Sequence, residues 1–149
     1  MFALAYVSKA TTLLSKQEFS DLVVLAGAKN RSLAVTGFLQ YKEGQFFQYL
    51  EGDKDVVLDL MDMISGDSRH TILRVIHLPG VESRQFDSWH MRYITNEKFN
   101  SVNLVDLLEN VLLTLTDPDA GDDDADKKVM RLVTDLAELY YKFPHTFDA

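Results

Sequence analysis

The sequence predicts an α+β fold of the ferredoxin-like sandwich type, with element order βαββαββ followed by two further helices. Three observations predict it. Stretches such as Phe2 to Ser8 and Gln45 to Gly52 alternate with a period of two residues, as strands do. The stretches after them place apolar residues at helical spacing and open on recognisable start signals, Ser15-Lys16-Gln17-Glu18 and Asp53. The turn signal Lys42-Glu43-Gly44 joins two strand-like segments at hairpin distance. A five-stranded mixed sheet with two helices on one face satisfies this order, and the last two helices are left to cover the other face.

In the first strand Phe2, Leu4, Tyr6 and Ser8 share one face, and Ala3, Ala5 and Val7 the other, so two hydroxyls end an apolar face. Ser15 and Glu18 form a capping box for the first helix, whose Phe19, Leu22, Val23 and Ala26 recur at helical spacing up to about Asn30. The second strand spans Ala34 to Tyr41 and pairs with the Gln45–Gly52 strand through the turn. Asp53 caps a second helix with Val57, Leu60, Met61 and Ile64 inward, and Gly66 stops it. The polar connection Asp67-Ser68-Arg69-His70 leads to a fourth strand, Thr71 to Leu78, ended by Pro79-Gly80. A fifth strand is expected over Asp87 to Thr95, with Trp89, Met91 and Tyr93 on one face.

A third helix is expected from Ser101 to Leu115, with an apolar stripe (Leu104, Val105, Leu107, Leu108, Val111, Leu112, Leu115) too wide for burial on one side only. Asp117 to Asp126 reads as an acidic linker. A fourth helix, Ala125 to Lys142, carries Val129, Leu132, Val133, Leu136 and Tyr140 at helical spacing. These helices are expected to pair antiparallel on the open face of the sheet and to keep apolar surface for a partner. Residues 1–95 therefore read as one compact unit and 96–149 as a helical appendage.

Composition removes several function classes. The chain has 149 residues, 46% hydrophobic and 26% charged, enough for one domain with a substantial core. Its net charge of −8, with no Lys/Arg run, argues against direct binding to nucleic acid or an anionic membrane. There is no cysteine, hence no disulfide, thiolate metal site or cysteine nucleophile. No secretory signal or membrane-length apolar run is present, so a cytoplasmic location is expected. His70, His77, His90 and His145 lack metal-ligand spacing, and Asp122, Asp123, Asp124 and Asp126 lack the glycine and terminal glutamate of a calcium loop. Neither a phosphate loop nor a nucleophile elbow occurs.

What remains is a polar residue in an apolar place. Alternation puts Gln48 between Phe46 and Leu50 on one face, and a buried amide left unpaired costs about 1 to 3 kcal/mol, so it must meet partners there. Tyr6, Asn30, Gln48, Arg69, His70, Trp89 and Met91 form one candidate constellation. Taken singly, each reads better as core, cap or loop than as a functional group.

Taken together, Tyr6-Val7-Ser8, Asn30 with Thr36-Gly37, Phe47-Gln48-Tyr49-Leu50-Glu51-Gly52, Asp67-Ser68-Arg69-His70 and Trp89-His90-Met91 occur in an order that resembles the BLUF family of blue-light sensors using FAD. The resemblance covers residues 1 to 95. It implies that FAD, with FMN or riboflavin as lesser options, lies between the first two helices against Leu22 and Val23. Asn30 would bond the pyrimidine edge of the ring, Arg69 would lie near the other carbonyl, His70 along the ring or ribityl side, and Ser8 would be a further flavin-binding residue. Lys29 stands where some members carry Asn or His, and Ile72-Leu73 where a polar residue is common. Lys29 then becomes a candidate for the phosphates.

The same resemblance implies that Tyr6 and Gln48 are the photoactive pair. A phenol can lose an electron and a proton together, and a primary amide offers both donor and acceptor. Light would move an electron and a proton from Tyr6 to the flavin, leave the Gln48 amide rotated or tautomerised, and shift the absorption to the red. Either Trp89 or Met91 would approach Gln48 and relay the change. One rearranged hydrogen bond is worth about 1 kcal/mol, against about 5.5 kcal/mol for a full two-state switch, so a partial population shift is expected. With no fused effector expected after residue 95, output would pass by homo-oligomerisation or to a separate regulator protein. No enzymatic turnover is expected. The alternative on the same sandwich is a flavin- or haem-binding oxidoreductase, and a light-independent ligand-sensing module is a third reading.

Overall fold

The computed structural model describes residues 1–78, 80–94, 105–116 and 125–142. β1 (Phe2–Ala10) is followed by α1 (Lys16–Ser32), β2 (Thr36–Lys42), β3 (Gln45–Gly52), α2 (Lys54–Ser65), β4 (His70–His77) and β5 (Arg92–Tyr93). Helices α3 (Val105–Thr116) and α4 (Ala125–Lys142) complete the described chain. The sheet order is β4-β1-β3-β2-β5, antiparallel except for the β2–β5 pair, so it is mixed, as the sequence predicts. Pro79, Thr95, the expected first turn of the third helix, most of the acidic linker and His145 lie outside the described residues.

Local signals set the first half of the fold. Ser15 Oγ accepts from the Glu18 N–H at 3.1 Å, and Glu18 Oε1 accepts from the Ser15 N–H at 3.2 Å, completing the capping box. Asp53 caps α2 by accepting from the N–H groups of Asp55 and Val56. Between β2 and β3, Lys42 pairs with Gln45 across a two-residue turn in which Glu43 and Gly44 both take positive φ, 53° and 79°. Such a turn matches the right-handed twist of its strands. At Gly37 the backbones of β2 and β3 leave no space for a side chain, because a Cβ there would lie 1.8 Å from the Tyr49 carbonyl oxygen.

Strand alternation divides the interior into two apolar layers. Phe2, Leu4, Tyr6, Leu39, Phe46 and Leu50 point towards α1 and α2 and cluster with Val57, Leu60 and Met61. Ala3, Ala5, Val7, Phe38, Phe47 and Tyr49 point the other way, against Val111 and Leu115 of α3 and Val129, Leu132, Val133 and Leu136 of α4. The two C-terminal helices thus cover the open face of the sheet, as expected. Burying each such large apolar side chain contributes about 1.5–3 kcal/mol.

The fifth strand departs from expectation. Only Arg92 and Tyr93 pair with β2, not Asp87 to Thr95. Asp87 and Ser88 instead occupy a turn, with the Trp89 N–H donating to the Phe86 carbonyl at 3.1 Å. Trp89 and Met91 consequently do not share a face. Trp89 joins the layer beneath α3 and α4, and Met91 the layer beneath α1 and α2.

Candidate functional site

Helix α1 is unusual for a helix resting on a sheet, because Asn30 is its one fully buried residue. Its Leu22, Leu25 and Ala26 instead line a cavity of about 280 Å³ that they share with Leu60, Met63 and Ile64 of α2. Tyr6, Leu39, Phe46 and Gln48 close it from the sheet, and Lys29, Asn30, Asp67, Arg69 and His70 supply its remaining polar groups. Apolar walls on two helices with a few convergent polar groups describe a small-molecule site. The stripe Leu22, Ala26, Lys29 at helical spacing marks this wall in the sequence. Leu25, Leu60, Met63 and Ile64 were not among the expected site residues, since apolar residues lining a cavity follow the same periodicity as apolar residues in a core.

Gln48 finds the partners that its burial demands. β1 and β3 align Tyr6 directly opposite Gln48. The Tyr6 hydroxyl donates a short hydrogen bond to Gln48 Oε1, and Gln48 Nε2 donates to Met91 Sδ at 3.1 Å. Burial pushes the Tyr6 phenol well above its ordinary range, and the negative charge of Asp67 adds to this. The phenol therefore stays protonated and able to donate.

The other expected residues take varied places. His70 Nε2 donates to the Ile64 carbonyl at 2.7 Å, so in the neutral ring Nδ1 accepts from Ser8 Oγ, also at 2.7 Å. The imidazole also meets the Tyr6 ring edge-on, with centroids 6.1 Å apart. Ser8 thus acts on the cavity through His70 rather than as a wall residue. Val23 packs into the layer beneath α1 and is likewise absent from the lining.

Arg69 lies on the wall, but its guanidinium is occupied by Asp67, with Nη2 2.5 Å from Oδ2 and Nε 3.0 Å from both oxygens. That bonding holds the Asp67 carboxyl down at about 2. Lys29 is exposed, with Nζ 3.5 Å from Met63 Sδ. Trp89 is remote from the cavity and packs between Phe86 and Tyr140.

Asn30 is the most telling of the set. Its side chain is buried and lines the cavity, yet Nδ2 has no hydrogen-bond partner among the described residues. A buried amide donor left unpaired costs about 1–3 kcal/mol, so a donor held here suits a ligand carbonyl. Among the described residues no cluster of His, Asp and Glu is placed to hold a metal, and no helix is long and apolar enough to cross a membrane.

Fold and cavity define a sandwich with a cavity between two helices and the sheet, beside a hydrogen-bonded Tyr–Gln pair. The family model for BLUF, sensors of blue-light using FAD, matches residues 1–92, and the chain belongs to that family. The photoactivated adenylate cyclase subunit beta of Euglena longa is 35% identical over 95 residues, which is 63% of this chain and 11% of the relative. This chain thus spans about a tenth of the length of that curated relative. A bacterial light-regulated adenylyl cyclase superposes with a TM-score of 0.62 at 30% identity, over 78% of this chain and 33% of the cyclase. The photo-activated state of BlsA, at 23% identity, shares the fold over 91% of this chain and 94% of its own, with a TM-score of 0.67.

The residues present fit the family's flavin. Aliphatic side chains on α1 and α2 suit the two faces of a planar ring, and the unpaired Asn30 donor suits a ring carbonyl.

Proposed function

We propose that this chain is a blue-light photoreceptor that holds FAD non-covalently and signals through the hydrogen bonds of Gln48. The observation that carries the reading is the linked set Tyr6–Gln48–Met91, in which one buried amide joins a cavity-wall phenol to a residue outside the cavity. When bound, a flavin supplies a blue-absorbing ring whose excited state accepts an electron. Tyr6 is the cavity-wall phenol able to give one up, releasing its O–H proton along the bond to Gln48. When Tyr6 regains both, the Gln48 amide settles with its donor and acceptor ends rearranged. An N–H turned into the cavity would offer a hydrogen bond to a bound chromophore, which would be read as a red shift. The same turn takes the donor away from Met91.

Leu22, Leu25 and Ala26 of α1, with Leu60 and Ile64 of α2, would flank the ring, and Asn30 would bond a carbonyl. Arg69 would orient the opposite edge once part of its bonding to Asp67 is given up, and Lys29 would serve the phosphates. Residues 96–149 would carry the output, through self-association or a separate regulator protein, with no substrate turned over. The test is the visible spectrum of the purified protein before and after blue light. A yellow protein whose bands move slightly to the red and return in darkness supports the reading. Flavin bleaching with turnover of a reduced nicotinamide would replace it with a redox enzyme, and a colourless protein that refuses added FAD would end it.

A further inference from the structure

On the sheet face away from the cavity lies a buried carboxylate that the light chemistry does not use. Glu51, near the end of β3, has no exposed surface, and both its oxygens are engaged. Oε1 accepts from Thr36 Oγ1 at 2.9 Å and from the Phe86 N–H at 2.8 Å, and Oε2 accepts from Tyr49 Oη and from the Gln85 N–H, each at 2.8 Å. Arg84 closes the group, donating from Nη1 to Thr36 Oγ1 at 3.0 Å and from Nη2 to the Ala34 carbonyl at 2.6 Å. A carboxylate is tolerated in such a place because donors meet both oxygens. Thr36 and Tyr49 belong to the paired strands β2 and β3 of the sheet. Gln85 and Phe86 belong to the irregular segment that leads to Trp89 and Met91.

From Phe86 onward that segment has little freedom. Its ring stacks on the Trp89 indole at 4.9 Å and 12°, its carbonyl accepts from the Trp89 N–H, and the Trp89 carbonyl accepts from the Gly37 N–H at 2.7 Å. Two residues later Met91 Sδ meets Gln48. On the outer side Trp89 lies 4.6 Å from the Tyr140 ring of α4, the Ser88 and Tyr140 hydroxyls share a short hydrogen bond, and Tyr141 Oη donates to Asp87 at 2.9 Å. One short segment therefore touches Gln48 at one end and the end of α4 at the other, and Glu51 fixes where it starts.

We propose that Glu51 is a positioning residue for the light response. Its carboxylate sets the register of residues 85–91, which delivers Met91 to the Gln48 amide and Trp89 to the end of α4. The proposal rests on the photoreceptor reading above and adds to it a residue that touches neither ligand nor photoactive pair.

The test uses the full flavin-loaded chain carrying Glu51→Gln, which keeps the size of the side chain but replaces one acceptor oxygen by a donor. The variant is expected to stay yellow with its dark absorption band in place. Its dark recovery should change by roughly threefold or more, as expected for loosening a contact worth about one hydrogen bond. The emission of Trp89, the only tryptophan, should move towards that of a solvated indole. A variant that melts earlier while its folded, yellow fraction keeps native recovery and native Trp89 emission would overturn the proposal and leave Glu51 a purely structural group. If Glu51→Gln does not fold, Tyr49→Phe removes one donor and leaves the others in place. The same two readouts then decide, with unchanged values counting against the proposal. Absence of any reversible shift in the unsubstituted chain would instead bring down the photoreceptor reading, and this proposal with it.

Discussion

The amide of Gln48 is held by partners of opposite character: its oxygen accepts from the Tyr6 hydroxyl, and its nitrogen donates to the Met91 sulfur at 3.1 Å. A thioether is a weak acceptor, so the sulfur end is the softer of the two bonds. Exchanging the ends of this amide gives up the soft bond to sulfur and also requires the Tyr6 oxygen to accept where its hydroxyl had donated. Met91 rather than Trp89 is the neighbour in contact with the amide, and Trp89 packs against Tyr140 of α4.

Gln48→Glu tests this directly. The carboxylate keeps an acceptor for Tyr6 but loses both N–H donors, so nothing is left to offer Met91 or a ring carbonyl. The variant is expected to purify with flavin bound and without the normal light-induced shift. A light-minus-dark difference spectrum of native size in the variant would remove Gln48 from the mechanism.

Tyr6 sets an alkaline limit. Burial raises its pKa in the folded state above the ordinary value of 10.0, as it does for Tyr49, where the Glu51 charge adds to the effect. An unfolded tyrosine gives up its proton near 10, so below that pH both states are protonated and stability is unaffected. Above it the unfolded state holds fewer protons, and stability falls as pH rises towards the folded values. The light-induced shift should therefore persist at pH 10 while the melting temperature declines beyond it. A native-minus-Tyr6→Phe spectrum showing phenolate in the folded protein at pH 10 would contradict this.

Asn30 predicts two effects of different kind from one substitution. Its Nδ2 is buried and unpaired among the described residues, so Asn30→Ala removes an unsatisfied donor along with the side chain. Flavin affinity should fall by roughly threefold to tenfold, the equivalent of one hydrogen bond of about 1 kcal/mol. The flavin-free protein should melt at about the native temperature. Fluorescence titration measures the first effect and a thermal melt without flavin the second. A large loss of flavin-free stability with unchanged affinity would make Asn30 a helix-end residue only.

How much of this was legible depended on the range of the forces involved. The β2–β3 hairpin, the capping box at Ser15 and the Asp53 cap are local, and each stands in the sequence within a few residues of where it acts. The Tyr6–Gln48 pair followed from alternation in two strands together with the family resemblance. The expected fifth strand failed because Trp89 and Met91, spaced as strand neighbours, are buried in different layers. The turn at Asp87-Ser88 and the hold of Glu51 on Gln85 and Phe86 separate them, and that hold spans more than thirty residues. The Asp67–Arg69 pairing is local, yet the motif names the residues without saying that they bind one another.

Lys29 is where this chain's flavin preference is open to test. Its ammonium is exposed at the cavity wall near Met63, whereas Arg69 is already neutralised by Asp67. A phosphate leaving the cavity beside α1 would meet Lys29 as the less committed of these two cations. An exposed ion pair is worth about 0.2–1 kcal/mol, so Lys29→Ala should weaken FAD and FMN by up to roughly fivefold and leave riboflavin unchanged. The loss should shrink as salt rises, because an exposed pair is screened. Titration of the flavin-free protein with all three flavins, at low and high salt, gives the comparison. Equal weakening of riboflavin would show that Lys29 acts on the ring or on the fold of α1, and would leave the phosphates to Arg69 once its bond to Asp67 is exchanged.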